Sequence, residues 1–314
     1  MNAATNPLLR RAAFAGVTAL ALALTLSARA DAPKTCFTGV EENYTHDPGQ
    51  WFGDGVNIFV FRRACVADEN ISDPRLKGRG SFTYTVDATA GLFWGRGRIV
   101  PDQGGGEWVG CFTATMSPGT TIQMTLTGSG DYAGLVARLT YTPGAKPDTL
   151  AIEGYIVEAK GGPGDRPLKV RACRTEQLQM LPCLELDPTT WPPIPYEPPR
   201  PAAILKALIT SETGQITHVG RLSNQGLSLV DPVTGLITGT GTAKAANGDE
   251  VFWVFEGAHD PAGVPVGSVH FCGGTGRFEA AVGGFDLEVT QGPEPAEDPW
   301  VLELCYVGSG TVRY

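Results

Sequence analysis

Four glutamates of this 314-residue chain are candidates for general acid–base chemistry. Glu107 and Glu250 begin strongly apolar segments, while Glu256 and Glu303 flank or interrupt apolar stretches. A carboxyl group held in a dry interior has a raised pKa, and such a group can exchange a proton near neutral pH. The simpler interpretation, which we favour, is that these side chains stand at strand ends or face solvent.

The four histidines, His46, His218, His259 and His270, are scattered along the chain. A metal site on a strand needs ligands at alternate positions, and the candidate pair is His270 with Cys272. No third ligand lies near this pair in the sequence, so we expect no metal site. The chain also lacks the Gly-x-Ser-x-Gly motif of serine hydrolases, a phosphate-binding loop and any visible cofactor motif.

Seven cysteines could form disulfides: Cys36, Cys65, Cys111, Cys173, Cys183, Cys272 and Cys305. Cys272 and Cys305 are the only cysteines of the second half, so we expect them to bond to each other. For the other five, about fifteen combinations of one free cysteine and two pairs exist. Short loops favour Cys36–Cys65 and Cys173–Cys183, which would leave Cys111 as a buried thiol. No Cys-x-x-Cys motif is present.

The N-terminus has the pattern of a secretory signal peptide. Arg10 and Arg11 precede the apolar run 12–26, and Ala28 and Ala30 are the small residues expected before a cleavage site. An uncleaved membrane anchor is the alternative, but the run is shorter than the ~20 residues of a spanning helix. We therefore expect export to the periplasm or the extracellular space, with no transmembrane span after processing and an oxidising environment for the cysteines.

The charge of the processed chain argues against one class of partner. Removal of residues 1–30 takes away three of the 24 basic side chains and none of the 33 acidic ones, so the formal charge changes from −9 to −12. No run of lysines and arginines longer than a pair remains. Phosphate contacts supply most non-specific affinity for nucleic acid, so we expect no nucleic-acid partner.

Strand-like segments dominate the rest of the chain, which has 41 glycines and 24 prolines. Short runs rich in Val, Thr, Phe, Tyr and Leu recur between turn residues, which is typical of an all-β fold. The segment 273–284 has glycine pairs on both sides of Phe278 and predicts a sharply bent hairpin. Eight prolines between residues 182 and 201 predict a stiff, extended linker over residues 182–202.

The two sides of this linker share a pattern. Gly91-Leu-Phe-Trp-Gly-Arg-Gly-Arg parallels Gly235-Leu-Ile-Thr-Gly-Thr-Gly-Thr, and residues 125–141 stand where residues 273–287 stand. Matches in the same order indicate a duplication. We therefore predict an all-β protein of two tandem antiparallel β-barrels: a signal peptide at 1–30, a degenerate first barrel at 31–181, the proline-rich linker at 182–202, and a second barrel at 203–314.

Four segments of the second half carry a family resemblance: His218-Val-Gly-Arg-Leu-Ser-Asn-Gln-Gly, Asp231-Pro-Val-Thr-Gly-Leu-Ile-Thr-Gly-Thr-Gly-Thr, Ala246-Asn-Gly-Asp-Glu-Val-Phe and Gly273-Gly-Thr-Gly-Arg-Phe-Glu-Ala-Ala. They resemble the allene oxide cyclase/dirigent-type family, which implies an eight-stranded barrel over residues 203–314. Members of that class include a cyclase of fatty-acid epoxides and non-catalytic proteins that steer radical coupling. No catalytic motif of either matches residues of this sequence.

These observations favour an exported, bacterial-type protein without enzymatic activity, which binds a small apolar ligand or has a structural role. Two alternatives remain open. One is a cyclase or isomerase that acts on an oxidised, lipid-like substrate inside a barrel. The other is a surface assembly or adhesion component, in which Trp51, Phe52 and Phe59 would make the contacts. The sequence does not fix the oligomeric state.

Overall fold

Strands make up nearly all of the regular structure in the computed structural model, which describes residues 33–116, 119, 121–159, 165–190, 192–295, 298 and 300–314. The all-β prediction is confirmed. The predicted signal peptide at residues 1–30 lies outside the described residues. Within the described part of the chain, no helix is long and apolar enough to cross a membrane.

The first half of the chain forms a closed barrel. Its strands are β1 (Thr35–His46), β2 (Gln50–Gly53), β3 (Ile58–Ile71), β4 (Gly78–Asp87), β5 (Leu92–Pro101), β6 (Trp108–Thr115), β7 (Ile122–Gly128), β8 (Leu135–Pro143) and β9 (Leu150–Glu158). Each strand from β3 to β8 pairs antiparallel with the next. Because β1 pairs with both β9 and β3, the eight strands β1 and β3–β9 form a closed ring, here named the first ring.

The second half continues with β10 (Arg166–Asp187), β11 (Ile194–Pro195), β12 (Pro201–Ile216), β13 (Gly220–Val230), β14 (Leu236–Ala245), β15 (Glu250–His259), β16 (Pro265–Gly274), β17 (Val282–Pro295) and β18 (Val301–Arg313). Strands β12 to β18 pair in succession, and β10 pairs with both β12 and β18. We name β10 and β12–β18 the second set. Strand β2 pairs with β3 and with the end of β10, so it joins the two groups.

Three large apolar clusters form most of the core, because alternate side chains of each strand point to the same face. The first ring contains one cluster, which includes Phe82, Trp108, Phe112, Leu126 and Leu139. The second set contains another, which includes Trp253, Phe255, Phe271, Phe285 and Tyr306. The third draws on both groups, with Phe61 and Trp94 from the first and Leu229 and Val254 from the second. This shared cluster packs the two groups against each other.

Buried polar contacts reinforce this junction. Lys206 on β12 reaches the carboxylate of Asp87 at the end of β4, with 2.5 Å between Nζ and Oδ2. Arg138 on β8 donates from Nη1 to the carbonyl oxygen of Cys272 at 2.9 Å. Both pairs lie in low-dielectric surroundings, where charged groups need partners.

Residues 273–284 join β16 to β17 through a 3₁₀ turn at Gly276–Phe278, in agreement with the predicted bent hairpin. Phe278 is buried and packs edge-on against Tyr314, with 5.3 Å between the ring centroids. Gly273 has a φ of 85°, and a Cβ atom at this position would collide with the guanidinium of Arg138. Only glycine combines that backbone angle with that close approach.

The structure differs from the sequence prediction along the proline-rich segment. Strand β10 runs to Asp187 and β12 begins at Pro201, so both ends of the predicted linker 182–202 are strand, and Pro182 pairs with Ala203. Proline lacks an N–H and is tolerated where a strand has a neighbour on only one side. On the other side of β10, pairing with β18 ends at residue 177 and pairing with β2 begins at residue 184. Pro182 lies between these two stretches, so β12 is its one neighbouring strand.

The disulfides also differ from the prediction, although Cys272 and Cys305 are both oxidised. The bonds are Cys111–Cys272 and Cys173–Cys305, so the expected Cys272–Cys305 bond and the expected free Cys111 are wrong. Cys272 lies on β16 and Cys305 on β18, with β17 between them. Strands two apart are separated by roughly 10 Å, beyond the ~7 Å limit for bridged Cα atoms.

The two shorter pairings fail for similar geometric reasons, and Cys36, Cys65 and Cys183 are free thiols. Cys65 on β3 faces His46, at the opposite end of β1 from Cys36. Cys173 and Cys183 lie ten residues apart on the same extended strand, β10, which places them roughly 30 Å apart. Short separation in sequence does not imply proximity when the intervening residues are a single strand.

The disulfide connectivity can be tested by peptide mapping. Protease digestion of the unreduced, alkylated protein should give linked peptides that contain Cys111 with Cys272 and Cys173 with Cys305. Only Cys36, Cys65 and Cys183 should carry the alkylating group. A linked peptide that joins Cys272 to Cys305 would contradict the structure.

The buried ion pair between the two groups should contribute measurably to stability. Asp87→Ala leaves the Lys206 ammonium buried without its partner, so we expect the free energy of unfolding to fall by about 3–5 kcal/mol. The control is Asp68→Ala, which removes the partner of Arg79 at the surface and should leave unfolding in urea close to that of the wild type. Equal losses in both variants would contradict the assignment.

Candidate functional site

A cavity of about 680 Å³ lies at one end of the first ring, where the β8–β9 connection, residues 143–150, forms part of its wall. The volume is in the range of small-molecule sites. Inward-facing side chains of β4 to β7 supply most of the remaining wall, among them Phe82, Phe93, Phe112 and Met124. The cavity is therefore lined by the alternate side chains of each strand that point into the closed barrel.

The apolar wall is built from interacting aromatic rings. Tyr84 and Phe93 meet edge-on at 4.8 Å between centroids, Phe93 and Phe112 are tilted at 5.1 Å, and Phe82 meets Phe112 edge-on at 6.4 Å. Aromatic pairs at these distances stabilise each other beyond the burial of their surface. The wall is therefore well defined before any ligand binds.

Two glutamates stand side by side inside the first ring. Glu41 on β1 and Glu69 on β3 are direct partners in the antiparallel register, and their exposed fractions are 5% and 0%. Burial raises the pKa of Glu69 well above its usual value, and repulsion from Glu41 raises it further. Burial also raises the pKa of Glu41, which lines the cavity. Adjacent carboxyl groups of this kind resist simultaneous ionisation and can share one proton.

The polar groups around this pair are incompletely satisfied. The Tyr141 hydroxyl donates to Oε1 of Glu69 at 3.4 Å, whereas no N–H or hydroxyl group of the described side chains donates to Oε2 of Glu69. Burial raises the pKa of the neighbouring Cys65 thiol to about 12, so this group stays neutral. Gly80 leaves room for the pair, because a Cβ atom there would lie 2.7 Å from Oε1 of Glu69.

The opposite end of the first ring is closed by aromatic side chains. Trp108, at the start of β6, stacks on Tyr132 with 5.4 Å between ring centroids. Trp108 Nε1 donates to the carbonyl oxygen of Arg75 at 2.7 Å, and the Tyr132 hydroxyl donates to that of Gly104 at 2.6 Å. Both polar atoms are satisfied, so this end is a stable plug.

All four glutamates singled out in the sequence lie outside this cavity, and three of them stand at strand ends or face solvent. Glu107 accepts a hydrogen bond from Arg98 Nε at 2.7 Å, and Glu250 lies 3.9 Å from Lys244 Nζ. Glu303 is exposed. These positions agree with the simpler interpretation of strand ends and solvent-facing side chains.

Glu256 and His270 are brought together by Arg96, whose Nη1 lies 3.4 Å from Glu256 Oε2 and 3.5 Å from His270 Nε2. Arg96 and His270 line a smaller cleft of about 350 Å³ between the two groups of strands. Burial and the nearby Arg96 lower the pKa of His270. Cys272 is bonded to Cys111 and is no longer a thiolate ligand. Among the described residues, no cluster of His, Cys, Asp and Glu is arranged to hold a metal ion.

The aromatic residues expected at a contact surface are largely internal. Phe52 and Phe59 are buried in the cluster that packs the two groups together. Trp51 is partly exposed and its Nε1 donates to the carbonyl oxygen of Pro48 at 2.7 Å. The adhesion alternative therefore lacks two of its three contact residues.

The second set has a buried glutamate in a different setting. Oε1 of Glu212 accepts from the Tyr306 hydroxyl at 2.8 Å, and Oε2 accepts from Asn224 Nδ2 at 3.1 Å. Trp253 Nε1 donates to Oδ1 of the same asparagine at 2.8 Å. Large side chains fill the space around this network. Both oxygens of Glu212 are thus satisfied by the protein itself.

Sequence reasoning missed Glu41, Glu69, Tyr44 and Tyr141, the polar residues of the site. A signal was present: Glu41 is in phase with the buried Phe37, and Glu69 is in phase with the buried residues at 65, 67 and 71. A charged residue at an inward position of a strand is therefore as much a candidate site residue as one that begins an apolar segment.

Comparison with known proteins adds little. No family model matches this chain, and no curated protein matches it. Solved structures that align with it include transferrin binding protein B (TbpB) of Haemophilus parasuis Hp5, in a tryptophan mutant, and isotype 1 TbpB of serogroup B Neisseria meningitidis. Each is 10% identical over 90% of this chain and 76% or 77% of the other, with TM-scores of 0.13 and 0.14. Scores this low carry no argument about fold or function.

The buried pair should give stability a characteristic pH dependence. Above about pH 4.5, the usual pKa of a glutamate, the native protein holds the Glu69 proton while the unfolded chain has released it, so stability falls as pH rises. Tyr44, Cys65 and Tyr141 do not interfere, because their pKa values are raised. Glu69→Gln removes this penalty and should gain about 0.5–3 kcal/mol relative to the wild type between pH 4 and pH 7.

Thermal unfolding measured across this pH range is the test. The control is Glu42→Gln, on the same strand as Glu41 but outside the register pair with Glu69, which should follow the wild type at each pH. A Glu69→Gln variant whose stability relative to the wild type does not change with pH would contradict the raised pKa.

Proposed function

We propose that this chain is an exported, non-enzymatic protein of two tandem β-barrels, and that its first barrel binds a small apolar ligand. The observation that carries the proposal is the cavity of about 680 Å³ in the first ring, with its aromatic wall. Apolar cavities of this size, with a few polar groups at fixed positions, are the usual form of a small-molecule site.

The tandem organisation is supported by pairing and by local structure. The second set returns to its starting strand β10 as the first ring returns to β1. Each group has a 3₁₀ turn before its penultimate strand, Gly130–Tyr132 in one and Gly276–Phe278 in the other, and each turn buries one aromatic residue. The resemblance of residues 203–314 to the allene oxide cyclase/dirigent-type family is in keeping with such a barrel.

Export is supported by the two disulfides, because such bonds persist in oxidising compartments. One of them joins β6 of the first ring to β16 of the second set, and so fixes the two groups covalently. An exported binding protein gains from this arrangement, since a pocket held open by a crosslinked frame loses less conformational entropy when it binds.

One observation favours catalysis as a second candidate function. Glu41 lines the cavity beside Glu69, and a carboxyl pair with raised pKa values can serve as general acid and base. The reaction would be a cyclisation or isomerisation of an oxidised, lipid-like molecule. Mass-identical but chromatographically distinct product after incubation with the protein would support it, and recovery of unchanged substrate would argue against it.

Binding of an apolar probe tests the proposed function directly. Titration with Nile red, an uncharged dye whose emission shifts in apolar surroundings, should show saturable uptake at about one site per chain. Ile122→Asp places a charge in the cavity wall, and should weaken binding at least about 10-fold because an unpaired charge is costly in an apolar site.

The matched control is Val100→Asp, which makes the same kind of change at an exposed strand position of the first ring. It should bind Nile red as the wild type does. Equal loss in both variants, or no saturable uptake by the wild type, would overturn the proposed function.

A further inference from the structure

We propose that the apolar ligand of the first ring carries an amine cation, which binds to Glu41, the member of the carboxyl pair that lines the cavity. This inference rests on the proposed function, because it names the chemical class of the molecule in the same cavity. It is carried by the imbalance between hydrogen-bond acceptors and donors at the carboxyl pair, together with the shortage of basic groups around it.

The carboxyl pair has more acceptors than donors. Two carboxyl groups that share one proton have a single O–H donor between them, and beyond it the Tyr141 hydroxyl donates to Glu69 at 3.4 Å. Oε2 of Glu69 is fully buried, and among the described residues no N–H or hydroxyl group of a side chain donates to it. Glu41, the register partner of Glu69, reaches the cavity surface. A ligand group with several N–H donors complements this set.

Glu212 is a buried glutamate whose two carboxylate oxygens both accept hydrogen bonds from the protein. It lies inside the second set, and the donors are a hydroxyl and an amide group. An unsatisfied buried acceptor is costly, and native proteins contain few of them. The difference between Glu212 and Glu69 is therefore informative: the first ring leaves open a position that the second set fills from its own side chains.

Charge compensation from the protein is also missing at the pair. The basic side chains among the described residues that line the cavity are His46 and Lys146, and both are exposed. Burial and the nearby Arg63 lower the pKa of His46, which keeps its imidazole neutral. A carboxyl pair that shares one proton retains one negative charge, and a buried charge requires a partner. An ammonium group supplies the charge and the donors together.

The same features exclude the opposite class of amphiphile. A fatty acid would place its carboxylate beside Glu41 and Glu69, where like charges in a low-dielectric site repel strongly. An alcohol of the same length would satisfy one acceptor without compensating the charge. The apolar chain would meet the same wall in all three cases, so head-group chemistry alone should set their order of affinity.

Competition against bound Nile red with dodecylamine, dodecanol and dodecanoate at pH 7, each below its aggregation limit, tests the inference. The full exported chain should bind the amine at least about 10-fold more tightly than the alcohol, because hydrogen bonds to charged groups exceed neutral ones by that order. The carboxylate should bind most weakly. Glu41→Gln should abolish the preference for the amine, and Glu42→Gln, the neighbouring position on β1, should preserve it.

Each outcome decides between the two claims. Equal affinity for the three compounds, or tighter binding of dodecanoate, would overturn the cation site while the apolar site stands. Failure of all three to displace Nile red would overturn the cation site alone, whereas the absence of saturable Nile red uptake by the wild type would overturn both. A preference for the amine that persists in Glu41→Gln would remove the carboxyl pair from the site. If Glu41→Gln does not fold, the order of affinities in the wild type remains decisive.

Discussion

The structure depends on the closure of the first ring, in which β1 pairs with β9 on one side and with β3 on the other. Closure satisfies the hydrogen bonds of both edges and fixes which residues face inward. Glu41 and Glu69 thereby become neighbours in an interior with little access to water. An open sheet would leave one edge unpaired, and both carboxyl groups would be solvated with ordinary pKa values. The chemistry of the site is thus a property of the ring.

The first ring and the second set differ in how side chains fill their interiors. In the second set, Trp253, Phe285 and Tyr306 fill the interior around a satisfied glutamate. The first ring fills only its closed end, where Trp108 stacks on Tyr132, and leaves a walled space at the other. The shared apolar cluster and the Cys111–Cys272 bond hold the groups together. The solid group can therefore act as a support for the hollow one.

Much of the fold was predictable because it depends on local patterns. Glycine pairs around Phe278 indicated the hairpin between β16 and β17, and short strand-like runs between turn residues indicated an all-β fold. The disulfides were not predictable in this way, since Cys111 and Cys272 meet only when two groups of strands pack together. Pro182 was placed in a linker for a related reason. It is tolerated in β10 because the pairing with β18 ends before it and the pairing with β2 begins after it, and a single sequence does not show where neighbouring strands end.

The polar residues of the site were not predicted from the sequence. The candidate glutamates, Glu107, Glu250, Glu256 and Glu303, begin, flank or interrupt apolar segments, whereas Glu41 and Glu69 lie within strands of the first half. Their importance comes from the β1–β3 register, which links residues 28 positions apart. A single sequence shows that each faces inward, but it does not show that they face each other.

The most direct test of the central claim, a ligand-holding first barrel, is native mass spectrometry of the protein purified gently from an exporting host. The account predicts a processed chain that carries one additional small molecule, released on denaturation. It also predicts that Ile122→Asp, which alters the cavity wall, yields the bare chain. A wild-type protein that has only the mass of its polypeptide under all gentle conditions, and takes up no amphiphile when supplied with one, would contradict it.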